Sequence, residues 1–382
     1  MKIVFISNYF NHHQKPLSDE LYKLTEGNYF FIETIGVPEF RKQLGYQELS
    51  APYVVRYSEQ NKENVMQHIN NAEIVIVGHA SPSFVKERIK QKKLVFSCAE
   101  RPFKSPKNYL KSPVYAYKAH QKHGAYMLCA SAFTASDYNM IGCYRNRCYK
   151  WGYFPAVSYY DNIESVISSK AGNSGKIKLL WCARFIDWKH PEVPIYIAEK
   201  LKSEGIAFEL DMIGTGEMET AIKETVKTRD LGDVVRFLGS MPPTEVRHHM
   251  EESDIFLFTS DRQEGWGAVL NEAMNSACAV VASHAIGSVP YLINNGDNGL
   301  IYRSGNNEDI YQKVLLLIND KSKRRDIQLA AYKTLTEIWS PKVAANNLIT
   351  LYSDLINNLP VSVIDGPGSV APKISNNWFC TK

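Results

Sequence analysis

Short runs of consecutive apolar residues alternate with longer stretches of helical period along almost the whole chain. A first series comprises IVFIS (3–7), FFIETI (30–35), EIVIVG (73–78), LVFSC (94–98) and YMLCAS (126–131). A second comprises IKLLWCA (177–183), FELDMIG (208–214), VVRFLG (234–239), DIFLFTS (254–260), AVVAS (279–283) and GLIY (299–302). Uninterrupted apolar strands spaced by helix-length segments predict parallel sheets covered on both faces. Between the two series, NIESVISSKAGNSGK (162–176) lacks aromatics and is rich in Ser, Gly and Asn. That composition predicts a linker. The expected organisation is a doubly wound domain over 1–160, a linker over 161–176 and a second doubly wound domain over 177–340. A C-terminal helix and tail (341–382) then pack back on the first domain or wrap the surface.

In open parallel sheets ligands bind beyond the carboxyl ends of the strands, so polar residues just after each run are the candidates. After IKLLWCA come Arg184 and Lys189, a fork of donors and a point charge that suit a diphosphate. After FELDMIG comes a GTG turn, Gly214 to Gly216. After DIFLFTS comes DRQEGWGAVLNEAM (261–274), in which Gly265 and Gly267 permit close backbone approach to a ligand. The expected helix start there offers free N–H groups and a positive dipole end. Glu264 sits in this turn and Glu272 eight residues on. Eight residues of helix rise roughly 12 Å, which argues against a glycosidase-type carboxylate pair about 5–10 Å apart. Metal ligation is disfavoured too: there is no Asp-x-Asp, and the pairs His12–His13 and His248–His249 diverge in a regular strand or helix. What remains for the glutamates is accepting hydroxyl groups.

The segments ARFIDWK, MIGTGE, VRFLGSMPPTEV and EGWGAVLNEAMNSACAVVAS resemble, in order and spacing, the C-terminal domain of retaining GT-B glycosyltransferases of family 4. The resemblance covers about 176–305. It implies a GT-B fold, two Rossmann-like parallel-sheet domains facing across a cleft. It also implies transfer of a hexose from a nucleotide-diphosphate sugar to a glycan or lipid-linked acceptor, with retention and without metal or other cofactor, in bacterial surface-polysaccharide assembly. On that reading Arg184 and Lys189 hold the diphosphate and stabilise its departing charge. Glu264 bonds sugar hydroxyls, and the N–H groups of Gly265, Trp266 and Gly267 lie beside sugar and phosphate. Glu272 bonds the ribose, the turn at Gly214 and Gly216 adjoins the donor, and Leu238 and Gly239 meet the base. In the first half the strand-end residues are Asn8, His79 and Glu100, with His12 and His13 in the first loop; His12, His13, His79 and Glu100 are candidates for the acceptor or sugar side. Glu100 has an alternative role as the partner of Arg101 or Lys104. Two departures stand out: SNYFNHHQKP (7–16) replaces the family's Gly-Gly loop, and His190 stands where the family often has Gly after the lysine. Rival readings are a nucleotide-sugar epimerase on the same fold and a non-catalytic sugar- or nucleotide-binding protein.

Composition narrows the setting. The 382 residues are 45% hydrophobic and 22% charged, a globular balance with room for about two domains. Seven cysteines without a CxxC pair fit a reducing compartment. The N-terminal apolar run is too short for a signal peptide, and no run reaches membrane-spanning length, so a cytoplasmic location is expected. The net charge of +4 is uneven: residues 86–122 hold eleven Lys or Arg against two acids. Interleaved Phe103, Tyr109, Tyr115 and Tyr117 suit the headgroup zone of an anionic membrane on its inner face. No nucleic-acid-binding motif accompanies the charge.

Overall fold

The computed structural model describes residues 1–39, 48–104, 125–170 and 175–379. The chain divides into two compact units, Met1–Ala156 with Ile338–Asn376, and Val157–Glu337 with Asn377–Lys382.

The first unit is built on seven strands: β1 (Ile3–Ser7), β2 (Tyr29–Glu33), β3 (Val54–Arg56), β4 (Ile74–Val77), β5 (Val95–Ala99), β6 (Ala125–Cys129) and β7 (Cys148–Lys150). Their order is β3-β2-β1-β4-β5-β6-β7 and every pairing is parallel. All five residues of β1 are buried, as an apolar run covered on both faces requires. Val4, Ile6, Ile32, Val75 and Val77 share one core with Val65 and Ile69 of the helix Lys62–Asn71. Each such side chain contributes about 1.5–3 kcal/mol on burial. Strands β3 and β7 escape the apolar pattern because each has only three residues at a sheet edge.

The second unit holds β8 (Ile177–Cys182), β9 (Phe208–Ile213), β10 (Val235–Gly239), β11 (Ile255–Phe258), β12 (Ala279–Ser283) and β13 (Leu300–Tyr302). Their order is β10-β9-β8-β11-β12-β13, again all parallel. Leu179, Trp181, Leu210, Met212, Leu257 and Val281 form the centre of its main core. Strand order reverses between β1 and β4 in the first sheet and between β8 and β11 in the second. Those reversals are the switch points where the carboxyl edge opens to a ligand.

One segment departs from the sequence expectation. The chain passes between units at Ala156/Val157, and the stretch expected as a linker carries the helix Ile163–Lys170. Ile167 is buried with Ala277 and Tyr332. The Lys170 ammonium, also buried, donates to the carbonyls of Met250, Glu251 and Ser253 at 2.8, 2.8 and 3.0 Å. A polar composition concealed a lysine that caps the end of the helix Pro243–Glu252. The tail after Leu359 is ordered: Val370 bridges Tyr149 antiparallel, and main-chain bonds run from Lys150 to Ser369 (2.7 Å) and from Ala371 to Cys148 (2.9 Å). It therefore extends the first sheet beyond β7. The preceding helix, Pro341–Ile356, packs on the helix Lys15–Leu24. Among the described residues, no helix is long and apolar enough to cross a membrane.

Candidate functional site

The loops following β8 and β11 flank the switch point of the second sheet and are laced together. After β8 the chain turns through Asp187–Lys189. The Lys189 carbonyl accepts the Thr259 hydroxyl at 2.6 Å, and that hydroxyl oxygen accepts the indole N–H of Trp181 at 2.8 Å. The Asp261 N–H donates to the Trp188 carbonyl at 3.0 Å. The Lys189 ammonium is ion-paired with the Glu264 carboxylate, which also accepts the Ser260 hydroxyl at 3.1 Å. The two paired side chains are only 12% and 11% exposed. The Lys189 ammonium also lies 4.4 Å from the centroid of the Trp188 ring, and the Arg184 guanidinium 5.9 Å from it. Arg184 is exposed and has no ion-pair partner among the described residues. A fixed neutral pair thus stands beside an uncompensated cation.

Glycines shape the rest of this edge. Gly214 has φ +129°, and a Cβ there would lie 1.9 Å from the Ala183 carbonyl oxygen; at Gly216 it would lie 2.5 Å from that of Phe185. The GTG turn is therefore required for the β9 end to press against the loop that carries Arg184. Gly267, at φ +80°, would place a Cβ 2.3 Å from the Phe258 ring. Gly265 is buried in the same turn. Trp266 is fully buried, with its indole N–H donating to the Asn271 amide oxygen at 2.9 Å, so only its main chain is available to a ligand. The helix here begins at Val269. The eight residues from Glu264 to Glu272 are therefore half loop, and the rise expected for a continuous helix does not apply. The glutamates are distinguished by their surroundings. Glu264 is held by Lys189 and Ser260. Glu272, partly exposed, has its carboxyl pushed up to about 7 by burial, against the opposing charge of Arg247. Leu238 and Gly239 are partly exposed at the end of β10, where a register shift interrupts the pairing and the Gly239 carbonyl accepts the Gly214 N–H at 2.8 Å.

In the first unit the structure gathers some candidates and leaves one apart. His12 and His13 occupy a turn before the helix Lys15–Leu24. Their rings lie 3.9 Å apart rather than diverging as in a regular strand or helix. Burial lowers the His12 imidazole below its ordinary value. His13 stacks near Tyr153, with centroids 6.4 Å apart and planes at 14°. Tyr153 donates to Glu100 at 2.7 Å, and Lys104 donates to the same carboxylate at 2.6 Å. Of the two pairings open to Glu100, Lys104 takes it; Arg101 is buried against Asp137 at 3.0 Å. His79 is exposed after β4. Tyr153 carries no signal in the apolar pattern, because it follows the edge strand β7 that this pattern missed.

A cavity of about 450 Å³ also lies in the first unit, but at the amino ends of its strands, lined among others by Glu73, Arg88, Lys93, Tyr126, Tyr352 and Ile356. Strand polarity sets it apart from the residues above. Arg88 is buried there and donates to the carbonyls of Ile69, Ala72 and Leu94 at 2.9, 2.7 and 3.0 Å. Arg88 and Arg101 thus serve the fold rather than the basic surface expected over 86–122. Residues 105–122 of that stretch, with Tyr109, Tyr115 and Tyr117, lie outside the described residues. Among the described residues, no group of three or more His, Cys, Asp or Glu is placed to hold a metal ion.

Residues 163–334 match the family model described as glycosyl transferases group 1. The chain is similar to the amylovoran biosynthesis glycosyltransferase AmsK of Erwinia amylovora, 28% identical over 184 residues, which are 47% of this chain and 45% of that protein. It is also similar to the putative colanic acid biosynthesis glycosyltransferase WcaL of Salmonella typhimurium, 29% identical over 128 residues, 32% of this chain and 31% of that one. The chain thus spans less than half the length of these curated relatives. Among solved structures it is similar to Anabaena HepE in complex with UDP, with a TM-score of 0.68 at 17% identity over 94% of this chain and 100% of that one. The two parallel-sheet units, of seven and six strands, have the architecture of GT-B glycosyltransferase structures.

Proposed function

We propose that the protein transfers a hexose from a nucleotide-diphosphate sugar to a glycan or lipid-linked acceptor, with retention at the anomeric carbon and without metal, in surface-polysaccharide assembly. The observation that carries this reading is the Lys189–Glu264 pair beside the unpaired Arg184 at the switch point of the second sheet. In the free protein the ammonium and carboxylate neutralise each other. A donor exchanges both partners, its diphosphate taking Lys189 and Arg184 and its sugar hydroxyls taking Glu264. The bond from the anomeric carbon to the phosphate oxygen breaks, and its electron pair leaves with the diphosphate. The two cations stabilise that charge in place of a metal. The acceptor oxygen bonds the anomeric carbon on the same face, and its proton passes to the departing phosphate. Glu272 and the ends of β9 and β10 hold ribose and base, while Glu100, His12, His13 and His79 face the acceptor or sugar. The relatives named for amylovoran and colanic acid biosynthesis support the polysaccharide setting. A cytoplasmic enzyme working at the inner face of an anionic membrane through residues 86–122 accords with the basic, aromatic composition of that stretch.

The test is nucleotide release from UDP-, GDP- and ADP-hexoses with and without added glycan acceptors, in the presence of EDTA. UDP-glucose is the first donor to try, since HepE has been seen with it. Release that depends on Glu264 and Lys189, with a product of the donor's anomeric configuration by NMR, is expected. Epimerisation without release overturns the transfer, an inverted product overturns retention, and loss of activity in EDTA overturns metal independence.

A further inference from the structure

His190 follows Lys189 directly and is half-buried with a left-handed backbone, φ 52° and ψ 58°. A non-glycine residue held there costs on the order of 1–2 kcal/mol, and the residue before a proline, here Pro191, is itself restricted. Such strain persists only where the surroundings fix the residue. Two carboxylates do so. Glu192, at the start of the next helix, lies 2.9 Å from Nδ1, and Asp261, in the loop after β11, lies 3.8 Å from Nε2. Asp261 is itself set by its N–H on the Trp188 carbonyl and by the Gln263 N–H, which donates to its carboxylate at 2.8 Å. The Glu264 N–H donates to the Asp261 carbonyl at 3.1 Å. One imidazole therefore ties the loop carrying Lys189 to the loop carrying Glu264.

We propose that His190 is a positioning residue, an imidazolium clamp between Asp261 and Glu192 that keeps Lys189 in register with Glu264 across the switch point. The inference rests on the function proposed above and adds to it a residue where the resembling family often has glycine. Glycine would satisfy the backbone equally well, without strain, so the side chain needs another reason to be there. The Asp261 and Glu192 carboxylates on its two ring nitrogens raise the imidazole to about 10, which keeps it cationic at neutral pH. Asp261 is lowered: burial, the largest single effect, pushes it up, but the His190 imidazole and the Gln263 N–H together outweigh it.

The test uses the full chain in two independent arms. In the first, nitrogen-15 NMR of the imidazole, assigned by its loss in His190→Gly, reads the clamp without any reaction. A ring that stays protonated well above pH 8 is expected, and titration near 6.5 overturns the clamp. In the second, kcat and KM are measured for the best donor of the nucleotide-sugar panel with His190→Gly, Asp261→Asn and the double variant. Each single variant is expected to lower kcat about tenfold with KM for the acceptor unchanged, and the double variant about as much as either alone, since both break one unit. Unchanged kcat in both single variants, or a hundredfold additive loss in the double, overturns the positioning role. Should the wild type release no nucleotide from any donor, the reading of the reaction and the positioning role built on it both fail, while the NMR arm still decides the clamp.

Discussion

Replacing Lys189 by methionine separates the structural from the chemical meaning of the pair at the switch point. The substitution keeps most of the stem and removes the ammonium that neutralises Glu264. The carboxylate is then left with the Ser260 hydroxyl in a site where it is 11% exposed. Breaking a fully buried pair costs about 3–5 kcal/mol. The residual opening lets water reach the anion, so about 2–3 kcal/mol is expected. For a unit of this size that lowers the melting midpoint by about 4–12 °C. Glu264→Gln leaves the ammonium over the Trp188 ring, which retains about 0.5–2 kcal/mol of attraction, so its loss is smaller. The double variant removes both charges and is expected to melt above the sum of the single losses by the equivalent of about 1–2 kcal/mol. Activity follows a different rule. Lys189→Met loses about 10²–10³ in nucleotide release, and the double variant recovers none of it. Differential scanning fluorimetry and donor turnover on the four proteins measure both. Additive melting shifts would refute the pairing, and wild-type turnover by Lys189→Met would refute the cation's part in the chemistry.

Three further outcomes follow from the same edge and its supports. Gly267→Ala drives a methyl to 2.3 Å from the Phe258 ring at a positive φ; a loss of at least about 3 kcal/mol is expected, read as poor soluble yield or a collapsed melting midpoint. The Glu272 carboxyl is raised from its ordinary value to about 7, so the stability it contributes is greatest below about 4.5 and is lost as pH rises through 7. Glu272→Gln should flatten the melting midpoint between pH 5 and 8, and in the wild type UDP affinity, measured by calorimetry, should strengthen over that range as the carboxylate forms. An equal slope in both proteins would exclude Glu272 as its source. Lys170→Met strips three carbonyls of their shared donor and is expected to cost about 2–4 kcal/mol in denaturant unfolding without changing KM for the donor.

The chain by itself determined the elements that depend on near neighbours. Eleven apolar runs announced eleven of the thirteen strands among the described residues, because a strand buried on both faces has a local signature. The same logic located Arg184, Lys189, Gly214, Gly216, Glu264 and Gly267, since in a parallel sheet the residue after each strand lands on one edge. Tertiary structure alone decided what depends on partners far along the chain. The short edge strands β3 and β7 exist through pairing, not through their own composition. The polar helix Ile163–Lys170 is fixed by carbonyls some eighty residues away, and the tail takes its place by pairing with β7. The pairing of Lys189 with Glu264 and of His190 with Asp261 likewise arises from strand order, which places β8 beside β11, and that of Glu100 with Tyr153 from the run β5-β6-β7 of the first sheet. Periodicity carries the direction of each side chain relative to its own backbone. It carries no information about which backbone lies opposite, and charge pairing is a property of that second chain segment.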